Sequence, residues 1–348
     1  MLPTRNASAI FSQVPHGSLI TEETVVTRYD TIDLDAAELH GGILVKILYL
    51  SIEPCLCAMM TYVLEGSDLP IYKLGEPILG FAIATVLRSE RGGINTGDNL
   101  YVTVCPFQQY AVLSANHPIR IIPNDPEIPL SLYLGFLGMP GMTAFYGLEL
   151  FGKPQKGETI FISSGAGPVG SLVAQISKIK GLKVIASAGS SAKVDYLRSI
   201  GVDVAFNYKT DNTRQILAKE GPIDLYWDNV GGPTLETDLE FTNVLGRVVL
   251  CGAIGSYDAK GEPYGVKTIP YIIMKRVTVH GFIVNESERE YEGQVGNPVK
   301  FLAAITPLVK SGQLKWSEQV IDGMEYVAKA IGDVLHGRNT GKVVIRPS

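Results

Sequence analysis

The stretch from Thr159 to Gln175, Thr-Ile-Phe-Ile-Ser-Ser-Gly-Ala-Gly-Pro-Val-Gly-Ser-Leu-Val-Ala-Gln, constrains this chain more than any other. A run of β-branched and aromatic residues (Ile160, Phe161, Ile162) stops at two serines. Three glycines follow at Gly165, Gly167 and Gly170, and Leu172, Val173 and Ile176 then recur at helical spacing. The pattern predicts strand, tight turn, helix. In that setting Gly165-x-Gly167-x-x-Gly170 is a dinucleotide fingerprint: glycine lets the main chain turn sharply and approach a pyrophosphate, and the helix N-terminus offers free N–H groups and a positive dipole end. Pro168 and Val169 complete the turn, so Gly165 to Gly170 is the expected cofactor cradle.

Such a cradle requires the rest of a sheet, and the chain supplies it. Lys183 to Ser187, Val202 to Phe206, Ile223 to Val230, Arg247 to Ile254 and Val277 to Val284 read as strands. Between them, helices are expected from Ala192 to Gly201, Thr213 to Lys219 and Thr234 to Leu245. This alternation predicts an α/β fold with a Rossmann, doubly wound parallel sheet. Residues 1 to 135 read differently, as short strand-like runs (Gly42 to Leu50, Ile83 to Arg88, Leu100 to Val104, Gln109 to Leu113) punctuated by Gly92-Gly93, Gly97-Asp98 and X-Pro steps. The register changes at Pro129 to Leu150, read as helix, glycine-rich break, helix. Beyond the sheet come a helix at Pro298 to Ser311 with Pro307 as a kink, a strand at Gln319 to Ile321, a helix at Tyr326 to Leu335 and a strand at Lys342 to Ile345. A single terminal strand needs a sheet to join. The expected division is therefore a mainly β substrate domain over 1–135, a nucleotide domain over 136–304, and a return to the first domain over 305–348.

The 348 residues suit two domains, and 46% hydrophobic residues suffice for full cores. A net charge of -5 without a basic tract gives nucleic acid or an anionic membrane no electrostatic reason to bind. Met1 to Phe11 is too polar for a secretory segment, and apolar runs such as Leu79 to Val86 are too short to span a bilayer. A cytoplasmic protein acting on small molecules is expected. Cys55, Cys57, Cys105 and Cys251 do not form a disulfide framework. Cys55-x-Cys57 hints at a metal, but none of the five histidines sits near another, so free buried thiols are expected and no metal.

In dinucleotide folds an acidic residue about twenty positions past the glycines accepts the adenosine ribose hydroxyls of NAD. Here the second strand runs into Ala186-Ser-Ala-Gly189-Ser190-Ser191, without an acid, and Lys193 comes next. The missing carboxylate and the nearby cation favour a phosphorylated ribose, hence NADPH/NADP+. A solvated helix lysine is the alternative reading of Lys193.

Gly138-Met-Pro-Gly-Met-Thr-Ala-Phe-Tyr-Gly-Leu148, Asn207-Tyr-Lys209, Asp228-Asn-Val-Gly-Gly232, Cys251-Gly-Ala-Ile254 with Tyr257, and Arg338-Asn-Thr-Gly-Lys342 occur in order along nearly the whole chain. Together they resemble the zinc-free prostaglandin reductase and alkenal double-bond reductase branch of the medium-chain dehydrogenase/reductase superfamily. The resemblance implies a GroES-like domain with a C-terminal return, wrapped around a Rossmann domain, with NADPH in the cleft between them. It assigns Lys193 and Tyr208 to the 2′-phosphate, beside Gly189 and Ser190. Met139 and Thr143 would line the nicotinamide end. Asn229 and Cys251, Gly252, Ala253 and Ile254 would follow the cofactor along the strand ends, and Asn339 would cap it. Core packing is the alternative for Met139 and Tyr208. Phe282 and Val284 would close over the nicotinamide, although an apolar strand without that role looks the same.

The family commonly carries Asp-Pro-Tyr-Met-Arg where this chain has Glu53-Pro-Cys-Leu-Cys57, so the expected pocket there is lined by Cys55 instead of an aromatic. Gly255 replaces a usual Ser or Thr. Where zinc-dependent members have Gly-His-Glu, this chain has Gly80-Phe-Ala82, which cannot hold a catalytic metal. Hydride addition to a conjugated alkene needs only a polarised carbonyl. The expected activity is NADPH-dependent reduction of the C=C bond of α,β-unsaturated aldehydes or ketones by a homodimer, with Tyr257 in the substrate pocket as the catalytic hydrogen-bond donor or as a wall. A zinc-free quinone reductase and a non-catalytic NADPH-binding protein are the rival readings.

Overall fold

The computed structural model describes residues 3–15, 20–61, 71–257, 264–284 and 297–347. The strands in chain order are β1 (Thr4–Phe11), β2 (Val25–Ile32), β3 (Ile43–Ile52), β4 (Leu79–Ser89), β5 (Asn99–Pro106), β6 (Tyr110–Leu113), β7 (Ile119–Ile122), β8 (Thr159–Ile162), β9 (Lys183–Ala188), β10 (Val204–Asn207), β11 (Ile223–Asp228), β12 (Thr242–Leu250), β13 (Thr278–Gly281), β14 (Glu318–Asp322) and β15 (Lys342–Arg346). The helices are α1 (Cys55–Thr61), α2 (Met139–Tyr146), α3 (Pro168–Ile179), α4 (Ser191–Ser199), α5 (Thr213–Glu220), α6 (Gly232–Phe241), α7 (Ile269–Lys275), α8 (Pro298–Lys310) and α9 (Val327–Leu335). The chain divides into two compact units, residues 1–134 with 318–348, and residues 135–317.

The first unit is mainly β. A seven-stranded sheet runs β14-β15-β3-β4-β5-β7, with β6 also paired to β3. β15 joins antiparallel to the end of β3 through Val343, Val344 and Ile345, so the C-terminal strand finds its sheet here. Alternate residues of β3 to β5 fill one core with Ile43, Val45, Ile47, Ala82, Ala84, Leu100 and Val102, and α9 adds Val327, Ala328 and Ile331. The β1/β2 hairpin and α1 have no counterpart in the sequence reading: β1 carries a nearly continuous buried face without clean alternation, and α1 is a single short segment.

The second unit is the doubly wound fold. Its sheet is parallel throughout and ordered β10-β9-β8-β11-β12-β13. Numbered from β8, that is 3-2-1-4-5-6, the order in which a dinucleotide lies across the crevice where the winding reverses. β8 and β11, on either side of the reversal, are almost wholly buried. Residues 305–317 belong to this unit, not to the return expected from 305. Phe301, Ile305 and Val309 of α8 are buried in it, and Gln175 of α3 exchanges hydrogen bonds of 2.9 Å and 2.8 Å with the Lys315 backbone.

Two expected elements end early. The helix read as Thr234 to Leu245 stops at Phe241, because Thr242 adopts an extended conformation and begins β12. Its hydroxyl turns back onto the Asp238 carbonyl (3.0 Å) and carboxylate (2.7 Å). The strand read as Val277 to Val284 stops at Gly281, leaving Phe282 and Val284 beyond it.

Candidate dinucleotide and substrate site

The turn between β8 and α3 sorts its glycines by what surrounds them. A methyl at Gly165 would stand 2.8 Å from Ala186 Cβ on β9, and one at Gly170 would stand 2.7 Å from Ser164 O and 2.8 Å from Gly165 Cα. Both are glycine because the protein itself occupies the space. At Gly167 the nearest atom is Ser164 O at 3.5 Å, which any residue tolerates. Gly167 is also the N-cap of α3, and no side chain caps that end. The first N–H groups of α3 therefore lack a protein side-chain acceptor, and the room beside Gly167 lets an anion approach the main chain. These residues fit a pyrophosphate.

At the end of β9 the residues expected to form the adenosine corner come together. Gly189 and Ser190 lead into α4, where the Ser190 hydroxyl accepts from the Lys193 N–H at 3.4 Å. Tyr208 reaches back from the end of β10: a methyl at Gly189 would lie 3.2 Å from its ring and its hydroxyl, and 3.3 Å from Lys209 Cε. Tyr208 is half exposed, which removes the core-packing alternative for it. Burial, with the Lys209 charge adding to it, holds the Lys193 ammonium below its ordinary pKa.

At the ends of β8, β11 and β12 a buried polar network fixes the backbone. Ser163 Oγ donates to Asp228 Oδ1 (3.1 Å), which also accepts from Tyr226 OH (2.7 Å) and from the N–H groups of Val230 and Gly231 (each 2.8 Å). The Asn229 amide is engaged within the protein, accepting from Trp227 Nε1 (3.2 Å) and donating to Ser163 O (2.7 Å). Cys251 and Gly252 donate their N–H groups to Asp228 O, and Ile254 donates to Asn229 O, so Cys251 to Ile254 folds back over the end of β11. A cavity of about 380 Å³ opens there, lined by Asp228, Gly231, Cys251, Gly252, Ala253 and Tyr257 among others. Burial, reinforced by Asp228, pushes the Cys251 thiol up to about 12, so it is a neutral wall. Gly255 is dictated by packing: a methyl there would stand 2.9 Å from Val230 O, so the Ser or Thr usual at this place requires a shifted main chain.

On α2, Thr143 donates its hydroxyl to Met139 O at 2.8 Å, and the Met139 side chain remains half-buried. Phe282 packs edge-on to Trp227 with centroids 6.0 Å apart and lies 5.1 Å from Phe151. Gly147, in a π-helical turn over Gly147–Gly152, makes room for both rings, since its methyl would fall 2.3 Å from Trp227 and 2.5 Å from Phe282. Val284 is half-buried past the strand end. In the first unit, Asn339 turns its amide onto Gly341 O at 2.8 Å, just before β15. Cys55 opens α1, and burial followed by the Glu53 charge pushes its thiol up to about 12. Glu53 itself is buried, accepting from Ser51 Oγ (2.7 Å) and from Lys342 Nζ (2.6 Å), which also donates to Ile52 O (2.8 Å).

The sequence reading passed over two of these features. Lys209 lies beyond the expected strand Val202 to Phe206, and the resemblance gives it no role; the Asn at the end of β10, a turn former, is the available signal. Glu53 and Lys342 are lone charges bordering apolar strands, a weak signal that a buried pair is present. At the zinc-ligand positions Phe81 stacks on Tyr101 with centroids 5.8 Å apart, and Ala82 is buried. Among the described residues no three His, Cys, Asp or Glu side chains converge as a metal site, and no helix is long and apolar enough to cross a membrane.

Residues 168–296 match the family described as zinc-binding dehydrogenase. The chain is 36% identical to the NADP(+)-dependent 2-alkenal reductase of Nicotiana tabacum over 91% of each sequence. It is 34% identical to (+)-pulegone reductase of Mentha piperita over 99% of this chain and 98% of that one. Among solved structures, CurA from Vibrio vulnificus in complex with NADPH superposes with a TM-score of 0.88 at 28% identity, covering 98% of this chain and 99% of that one.

Proposed function

The chain belongs to the zinc-free prostaglandin reductase and alkenal double-bond reductase branch of the medium-chain dehydrogenase/reductase superfamily, and from that premise we infer that it reduces the C=C bond of α,β-unsaturated aldehydes or ketones with NADPH. The observation that carries the substrate class is the likeness to an alkenal reductase and a pulegone reductase along nearly the whole chain. When bound, NADPH supplies the hydride that the β-carbon of the enone receives. The protein's part is to hold and to polarise. The open main chain at Gly167, with Pro168 and Val169 starting α3, receives the pyrophosphate, flanked by Gly165 and Gly170. Lys193 and Tyr208, over Gly189 and Ser190, take the 2′-phosphate. Cys251 to Ile254 and Asn229 shape the strand ends beneath the nicotinamide, with Met139 and Thr143 of α2, and Phe282 and Val284 form apolar wall.

Tyr257 lines the cavity, and we assign its phenol to the substrate carbonyl, where negative charge develops as hydride arrives; the α-carbon then takes a proton. Asn339 and Cys55 keep the roles the family motifs give them, the cap and the pocket wall. With Phe81 and Ala82 in place of His and Glu, the carbonyl is polarised by hydrogen bonds. The protein works as a homodimer in the cytoplasm. β13 is the sheet's edge strand, and Val279 on it, Ile283 just after it and Ile273 and Met274 of α7 are exposed apolar residues suited to pairing with a second copy. Four free thiols suit a reducing compartment.

NADPH oxidation by enzyme dialysed against a strong chelator, followed across a panel of enals, enones and quinones, tests the reading. Turnover is expected with enals and enones. Turnover confined to quinones, no turnover with any acceptor, or turnover lost with the chelated metal and restored by zinc would each overturn it.

A further inference from the structure

β10 ends at Asn207, and the next two residues are Tyr208 and Lys209. Had the strand continued, their side chains would point to opposite faces. Instead the Asn207 carboxamide oxygen accepts from the Lys209 N–H at 3.1 Å and the chain turns, so that the Tyr208 ring and Lys209 Cε both lie over Gly189. Lys209 Nζ is 5.9 Å from the centroid of the Tyr208 ring. From the other side comes Lys193, in the first turn of α4, close enough to Lys209 for the two charges to repel. A cation in a first turn also opposes the helix dipole, and α4 carries no acid there to offset it. Among the described residues Lys209 makes no ion pair. Two ammonium groups and a helix N-terminus thus converge in a chain whose net charge is -5. An anion that enters there offsets the repulsion between the two lysines.

We propose that Lys209 is a second specificity-determining cation of the NADPH site, closing with Lys193 on the 2′-phosphate of the adenosine ribose at the start of α4. The proposal rests on the reading of Lys193 and Tyr208 as the adenosine corner. A phosphate monoester carries close to two negative charges at neutral pH. One lysine balances half of that, and a second completes it. The free 2′-hydroxyl of NADH gains nothing from the second cation, so Lys209 acts on the choice between the two cofactors more than on nucleotide binding itself. Phosphate also relieves the repulsion between the lysines, so a 2′-phosphorylated ligand raises the melting temperature more than its unphosphorylated counterpart at equal concentration.

Calorimetric titration of the full chain with adenosine 2′,5′-bisphosphate and with 5′-AMP tests this without turnover. The unaltered protein is expected to prefer the bisphosphate. Lys209→Met should weaken the bisphosphate about ten-fold while changing 5′-AMP by less than about two-fold, and Lys209→Arg should keep most of the preference. Because Lys209 is exposed, its replacement should leave the unliganded melting temperature unchanged or slightly higher. Equal binding of the two probes by the unaltered protein would remove the adenosine corner itself, and Lys209 with it. Discrimination that is lost in Lys193→Met but intact in Lys209→Met would overturn the role of Lys209 and leave the corner standing.

Discussion

The Gly165–Gly170 turn of the second unit and the Glu53–Lys342 corner of the first solve positioning in opposite ways. At Gly170 main chain meets main chain within a few consecutive residues, while at Gly165 the turn meets the Ala186 side chain of β9. A side chain on Gly165 or Gly170 is refused by atoms of β9 and of the turn itself, while Gly167 alone is left open. In the corner, two charged side chains 289 positions apart are buried against each other. Steric exclusion of that first kind has little desolvation cost. A buried ion pair does, and its attraction barely repays that cost, so its value lies in fixing one arrangement of the end of β3, the start of α1 and the start of β15. A backbone constraint therefore tolerates no enlargement, whereas a charge constraint tolerates joint replacement.

The largest effect is expected from testing the first half of that contrast. Gly170→Val places three carbons against Ser164 O and Gly165 Cα, main-chain atoms that no rotamer change can move aside. No cooperative thermal transition of the second unit should remain. Gly167→Ala, three residues earlier, should melt within about 2 °C of the unaltered protein yet bind NADPH at least about ten-fold more weakly, because its methyl enters only the space left for the pyrophosphate. If both variants melted alike, or Gly167→Ala kept full affinity, the division between packing and ligand glycines would collapse.

The second half is tested by removing one charge. Lys342→Met leaves the Glu53 carboxylate buried with the Ser51 hydroxyl as its remaining donor among the described contacts. A loss of about 3–5 kcal/mol of stability is expected, read as a shift in the chemical-denaturation midpoint of the first unit. The double variant Glu53→Gln with Lys342→Met should recover most of it, which Gly170→Val has no partner substitution to match. An additive double variant would show that the two groups are not coupled and would end the comparison.

What the sequence revealed follows the same division. The nucleotide sheet was legible because each βα unit is local: apolar run, turn, periodic helix. The glycine turn between β8 and α3 was legible for the same reason. The helix–strand boundary at Phe241 and Thr242 was not, because Asp238 and Thr242 form a side-chain bond that no periodicity announces. Residues 305–317 were assigned to the wrong unit since their anchorage is the bond between Gln175 and the Lys315 backbone. Lys209 was hidden because neither a strand read as Val202 to Phe206 nor the motif Asn207-Tyr-Lys209 shows which way the chain turns after Asn207. Glu53 with Lys342 was hidden by distance along the chain. The family motifs single out the candidate site residues. The structure adds that Asn229 spends its amide on Trp227 and Ser163, which makes it a support of the strand ends.

The smallest effect, and the one that extends the comparison from positioning to chemistry, concerns Tyr257. Its surroundings resemble neither region: the main chain is held by a bond from its N–H to Ile254 O at 3.3 Å, while the side chain faces the cavity beside Cys251 and Ala253. A phenol O–H is a stronger hydrogen-bond donor than a thiol S–H, so of the two Tyr257 is the better donor toward a developing oxyanion. Tyr257→Phe keeps the ring and removes only the hydroxyl, so the cavity wall and the fold are preserved. If the hydroxyl stabilises the enolate, turnover of a good enone at saturating NADPH should fall about ten-fold, equivalent to roughly 1.4 kcal/mol of transition-state stabilisation, with the affinity for NADPH unchanged. Unaltered turnover with a raised KM would reduce Tyr257 to a wall that packs against substrate. The polarising donor would then have to be sought among water and main-chain N–H groups at the strand ends.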